Sequence, residues 1–207
     1  MFITSLLNFD LENLENYCQI METSLKNQKK NFEEWLEKEA EKLSEEEKEE
    51  FYDFYSDDYW ELSNVFPNTL RSSLLVAAYS VLERQLVACC TELWNKNQYP
   101  VKPNIPQRRI IFEARNYLIT HAGISIPDTS PNWSGIVSYN KIRNSIVHNG
   151  GKLNSQRLAD LQPFLALNPS ITLDQFHGVV LGEDACKNFI KIVRNLFFDE
   201  IFKASGK

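Results

Sequence analysis

The sequence predicts an all-α fold, a bundle of six to seven helices with an N-terminal helical extension, and three observations point to it. Apolar residues recur at spacings of three and four along most of the chain, the period of one helix face. Only seven glycines occur in 207 residues. Apart from Pro67, the prolines gather in three places, Pro100 to Pro106, Pro127 to Pro131, and Pro163 with Pro169, and so mark breaks between helices. The length suits one domain, or one domain with an extension. Hydrophobic residues at 43% and charged residues at 24% match ordinary globular proteins, which excludes disordered and collagen-like classes.

In chain order, residues 6–26 read as a first helix. Residues 31–64 read as a second, interrupted at Ser44. There Ser44-Glu45-Glu46-Glu47 has the form of a capping box, in which a serine and a glutamate three residues on satisfy each other's free backbone N–H groups. The aromatic end of this segment, FYDFYSDDYW, spaces Phe51, Phe54, Tyr55 and Tyr59 so as to suggest a face that packs onto the body. Residues 68–94 carry the longest apolar face: Leu70, Leu74, Ala77, Ala78, Val81, Leu82, Leu86, Cys89 and Leu93. Pro67 suits the first turn of that helix, where no N–H donor is required.

Ile110, Ile111, Ala114, Tyr117, Leu118 and His121 define a helix that stops at Ala122-Gly123. Ile136, Tyr139, Ile142 and Ile146 define another, with Trp133 and Ser134 near its start and Asn149-Gly150-Gly151 at its stop. Residues 153–167 and 185–202 read as the last two helices, and ITLDQFHGVVLGED between them as a short hairpin or a loop. These elements divide into an extension over 1–63, which includes an acidic arm, and a helical domain over 64–207.

The net charge of −6 argues at first sight against a nucleic-acid partner. It is unevenly spread. Residues 32–61 hold fourteen acids and three bases, a charge of −11, which leaves the rest of the chain at +5. No run of 18 uninterrupted apolar residues occurs, and the first residues lack a basic segment and reach an acid at Asp10. No membrane association is therefore expected, and the localisation expected is cytoplasmic. Cys18, Cys89, Cys90 and Cys186 form no CxxC pair, so they are expected to be core thiols rather than metal ligands or disulfides.

No phosphate-binding loop, dinucleotide fingerprint, zinc-protease motif or hydrolase elbow is present. No cofactor and no metal are expected. Of the three histidines, His121 sits at a helix end and His177 in a loop, whereas His148 closes the string KIRNSIVHNGG, residues 141–151. Arg143 and His148 are five residues apart, about 140° of rotation on an ideal helix, so they share no narrow face but can flank one cleft. A histidine in the last turn also sits where the helix dipole favours a cation. Two such helices side by side in a dimer can bring two arginines and two histidines to one groove.

This string resembles the R-x4-H motif of the HEPN superfamily, small all-α dimers that include many metal-independent endoribonucleases of bacterial toxin and defence systems. The resemblance extends in order over NVFPNTLR (residues 64–71), AYSVLE (78–83), FEARNYL (112–118) and YNKIRNSIVHNG (139–150), under half of the chain. It implies a HEPN-like bundle, a homodimer and an RNA substrate. In that chemistry His148 serves as base or acid for the 2′-hydroxyl and the departing 5′-oxygen, and Arg143 neutralises the phosphorane. Asn144 orients His148 or a scissile phosphate oxygen, and Glu83 holds Arg143 by a salt bridge. The expected products are a 2′,3′-cyclic phosphate and a 5′-hydroxyl. Arg71, Arg115 and Lys141, with Arg108 and Arg109, are candidates for an RNA-facing rim.

The resemblance also allows a non-catalytic dimeric module that binds RNA or protein. An antitoxin or regulatory protein is a further expected partner, and the acidic arm is expected either to bind a basic partner or to screen the basic body. One position departs from the family pattern. Gly150 stands two residues after the histidine, where members with a nucleotidyltransferase antitoxin carry the tyrosine that is modified, so regulation by that route is not expected.

Overall fold

The computed structural model describes residues Phe2–Ser205 and is almost entirely helical. Met1, Gly206 and Lys207, which complete the two predicted ranges, lie outside the described residues. Helix α4 (Phe66–Asn97) runs through the middle of the bundle. Around it pack the first half of α1 (Phe2–Ala40), α5 (Ile110–Thr120), α6 (Pro131–Asn149) and α8 (Ala185–Asn195). Leu75, Ala78, Tyr79, Leu82, Cys89 and Cys90 of α4 are completely enclosed and recur at spacings of three and four, so the apolar face expected is the buried one, while Ser73, Ser80, Arg84 and Thr91 on the opposite side are exposed. All four cysteines are free and buried, and the Sγ atoms of Cys18 and Cys186 lie 3.5 Å apart, joining α1 to α8.

Two helix boundaries differ from expectation. The first helix does not stop near residue 26 but continues to Ala40. Pro67 lies in the first turn of α4 as expected, but the helical path does not begin there: α3 (Ser56–Trp60) runs through a π turn, Glu61–Val65, directly into α4. In that wider turn Phe66 N–H donates to Glu61 O, five residues back, and the change of register accommodates a proline that has no N–H of its own to offer. The resulting stretch Ser56–Asn97 is long and apolar enough to cross a membrane by length and composition, but more than half of its apolar window is buried within the bundle.

The other stops follow local chemistry. Ser44 caps α2 (Glu45–Phe54) in a complete capping box, its backbone N–H donating to Glu47 at 2.8 Å. Gly123, at φ 66°, ends α5, with Ile124 N–H donating to Leu118 O. Ser130 caps α6 and accepts from Trp133 N–H at 3.2 Å. At the far end of α6, Gly150 and Gly151 adopt φ of 59° and 84°, and Gly151 N–H donates to Ser145 O. Helix α7 (Ser155–Leu167) follows, and then a hairpin of β1 (Ile171–Leu173) and β2 (Val179–Leu181), antiparallel with Ile171 opposite Leu181. Both strands are short, and the hairpin closes over the end of α6 through Leu153 N–H to His177 O and Val179 N–H to Gly151 O. After α8 a second π turn, Leu196–Phe202, leads to α9 (Lys203–Ser205).

The predicted division at residue 63 does not coincide with the packing. Leu7, Leu11 and Cys18 belong to the same core as α4 and α8. Glu22, 3% exposed, is held by Arg71 in a two-point ion pair at 2.6 and 2.8 Å. What projects is the distal half of α1 with α2. Its aromatic residues do not pack onto the body as expected. Phe32 and Trp35 of α1 stack on each other and meet Tyr55 edge-on, Phe51 joins them, and Leu36 and Ala40 are buried beside this cluster but outside the main core. An arm of that length buries more apolar area by folding on itself than by reaching the body with its tip.

Removing one partner of a buried ion pair strands the other charge, so Arg71→Ala is expected to cost about 3–5 kcal/mol in urea unfolding. Gly150→Ala meets no steric obstacle but must hold a left-handed backbone, and a loss of about 1 kcal/mol is expected in the same measurement.

Candidate functional site

Helices α4 and α6 lie side by side, and each presents a polar pair one turn apart: Tyr79 with Glu83, and Asn140 with Asn144. Arg143 sits between them. Its Nη2 is 3.5 Å from Glu83, so the salt bridge suggested by the sequence is present, and its Nη1 donates to Asn144 Oδ1 at 2.9 Å. Asn144 Nδ2 donates to Asn140 Oδ1 at 3.2 Å, and Asn140 Nδ2 donates to the Tyr79 hydroxyl. The guanidinium carbon lies 5.0 Å from the centre of the Tyr79 ring, within cation–π range. One connected network thus fixes the arginine's orientation. Its Nε is buried without a hydrogen-bond partner.

Glu83, Asn140, Arg143 and Asn144 line a cleft of about 280 Å3 together with Arg108 and Arg109 of the 3-10 turn Gln107–Arg109, and Tyr79 is buried beneath them. Three arginines therefore share one small, polar depression with a single carboxylate, Glu83. Burial raises the Glu83 carboxyl above its ordinary value and Arg143 opposes the shift. Burial also pushes the Tyr79 phenol well up, so it stays neutral and serves as an acceptor. Such a cleft fits an anion with several oxygens, because arginine offers a planar fork of donors and keeps its charge.

The other predicted residues are placed elsewhere. His148 is exposed on the last turn of α6 and does not line the cleft, and its neighbour Val147 is 47% exposed. Within one protomer, then, Arg143 and Asn144 are together and His148 is apart. The remaining bases are engaged structurally. Arg71 is bound to Glu22 and to Leu181 O. Arg115 donates to Ile126 O, pairs with Asp128 at 2.7 Å and stacks over Trp133. Lys141 bonds Asp160 at 3.0 Å, tying α6 to α7. Tyr79 and Asn140 were missed by sequence reasoning, although each stands four residues before a residue that was singled out, the spacing of neighbours on a helix face.

Folding favours the protonated form of Glu83, since its folded pKa lies above the unfolded one. Its contribution to stability is therefore fully present below the unfolded pKa and is lost as pH rises through the folded value. Urea titrations from about pH 4 to about pH 7 are expected to show a smaller loss of stability for Glu83→Gln than for wild type. In Arg143→Met the carboxyl signal, followed by carbon NMR, is expected to titrate higher still.

No family model matches the chain, and no curated protein or solved structure is found to be similar to it.

Proposed function

We propose that this chain is a homodimeric, metal-independent endoribonuclease of the HEPN type, acting in the cytoplasm in a toxin or phage-defence setting, with an antitoxin or regulatory protein as a further partner. One observation carries the reading: Arg143, oriented by Glu83 and Asn144, shares a polar cleft with Arg108 and Arg109. A phosphodiester undergoing attack gathers negative charge on its non-bridging oxygens, and prearranged guanidinium groups stabilise that charge.

In the proposed reaction the RNA 2′-oxygen attacks the adjacent phosphorus and gives its proton to His148. The bond from phosphorus to the 5′-oxygen breaks, and that oxygen takes a proton from a histidine acting as acid. A 2′,3′-cyclic phosphate and a 5′-hydroxyl result. Arg143 neutralises the phosphorane, and Asn144 holds Arg143 in place. His148 stands outside the cleft of its own protomer, so the site requires two chains packed along α6, each supplying the histidine for the other's arginine. The exposed Val147 beside His148 supports such a contact. Arg71, Arg115 and Lys141 are left out of the RNA-binding surface, because each is bound within the chain.

The separation of His148 from the cleft also supports a second reading, a non-catalytic dimeric module in which the arginine cleft only binds RNA or protein. Incubation with total RNA in EDTA distinguishes the two. Wild type is expected to release fragments ending in cyclic phosphate, and His148→Ala and Arg143→Ala are each expected to slow this by about 100-fold or more while the dimer mass persists. Identical traces from all three would overturn the ribonuclease reading and leave the second.

A further inference from the structure

The projecting arm carries a feature that the arginine cleft does not use. A groove of about 590 Å3 opens between the distal half of α1 and the segment from α2 to α3. Tyr52, Tyr55, Tyr59 and Trp60 supply its ring faces, and Glu33 and Glu37 its carboxylates. Trp60 is 59% exposed and Tyr52 46%. Aromatic side chains left in water on a segment of charge −11 have no part in the main core, and exposed apolar surface rimmed by charge marks a contact surface.

We propose that this groove docks a basic segment of a partner protein, taking arginine or lysine side chains between its rings and carboxylates. The surroundings already show that chemistry on a small scale. Lys29 Nζ lies 5.2 Å from the centre of the Tyr59 ring, and the Tyr59 hydroxyl donates to Glu33 at 3.0 Å, so ring and carboxylate are held together where a cation is accepted. The volume exceeds what one ammonium group fills and suits several side chains of a peptide. Charge complementarity selects the partner. A segment of −11 repels RNA and attracts a polycation. A second copy of this chain is a poor occupant, because five of its eight arginines are paired within the chain, Arg71 to Glu22, Arg84 to Asp10, Arg115 to Asp128, Arg143 to Glu83 and Arg194 to Glu15, and Arg108 and Arg109 line the arginine cleft. The inference does not depend on the ribonuclease reading, since none of the groove residues lines the arginine cleft.

The test uses the full chain and a short fluorescent peptide of alternating arginine and leucine, followed by anisotropy at about 0.15 M salt. Wild type is expected to bind, and Trp60→Ala to bind about tenfold more weakly with an unchanged melting temperature, as Trp60 is mostly exposed. The double variant Glu33→Gln with Glu37→Gln is expected to weaken binding to a similar extent. Glu46→Gln with Glu49→Gln, which removes the same charge from the arm outside the groove, is expected to change it less than about twofold. Equal weakening by the two double variants would overturn the proposal, as net charge alone would then attract the peptide. So would absence of binding, or a dimer that Trp60→Ala dissociates, which would identify a second copy as the occupant.

Discussion

Helix α4 carries one long, continuous apolar face through the middle of the bundle, and that face has to be enclosed. Helices α1, α5, α6 and α8 provide the enclosure. Enclosure then imposes a second demand, because every polar group that α4 carries inward needs a partner. Gln85 donates to Asp10 of α1, Arg71 binds Glu22, and Tyr79 accepts from Asn140. Asn68 bonds Val179 O and Leu181 N–H, which fastens the hairpin to the bundle. The arginine cleft arises in the same way. Glu83 and Arg143 face each other at the edge of the core, where neither is fully hydrated and each limits the other's freedom.

The same economy explains how charge is distributed. In the body many acids are matched by bases from distant parts of the chain, as Glu22 is by Arg71 and Glu15 by Arg194, and an excess of five bases remains. Along the arm most carboxylates face water, and the local pairs, Lys42 with Glu39 and Lys48 with Glu45, are exposed contacts worth little. The net value of −6 describes neither part. A polyanion that reaches this protein has to find Arg108 and Arg109 beside Arg143, and a polycation meets the arm first.

Where the chain punctuates itself, its elements were legible. Ser44 and Glu47 announce the start of α2, the cluster from Pro127 to Pro131 marks the break before α6, and Gly123 and Gly150 mark stops, because caps and left-handed residues act within a few residues of themselves. Pro67 misleads by the same logic. Its missing N–H is a local fact, but a π turn one step earlier absorbs it, and the helix continues. The arm's aromatic residues misled differently. Their spacing reveals a sticky face, and it says nothing of whether Trp35 or the body lies closest to it.

For the candidate site, the sequence by itself determined the all-α class, the helix carrying Arg143, Asn144 and His148, and a glutamate on a neighbouring helix. Residue type and helical period suffice for that, since both are properties of adjacent positions. Tertiary structure alone decided which bases are available. Arg71 and Arg115 look as free as Arg108 in the sequence, yet their partners lie 49 residues away at Glu22 and 11 residues away at Ile126 O. It also decided that Arg143 joins Glu83, Asn140 and Asn144 at one cleft, against the buried Tyr79, while His148 remains outside it. The physical reason is that a charge is silenced by whatever packing brings within about 4 Å of it, and packing follows the burial of α4 rather than the order of residues along the chain.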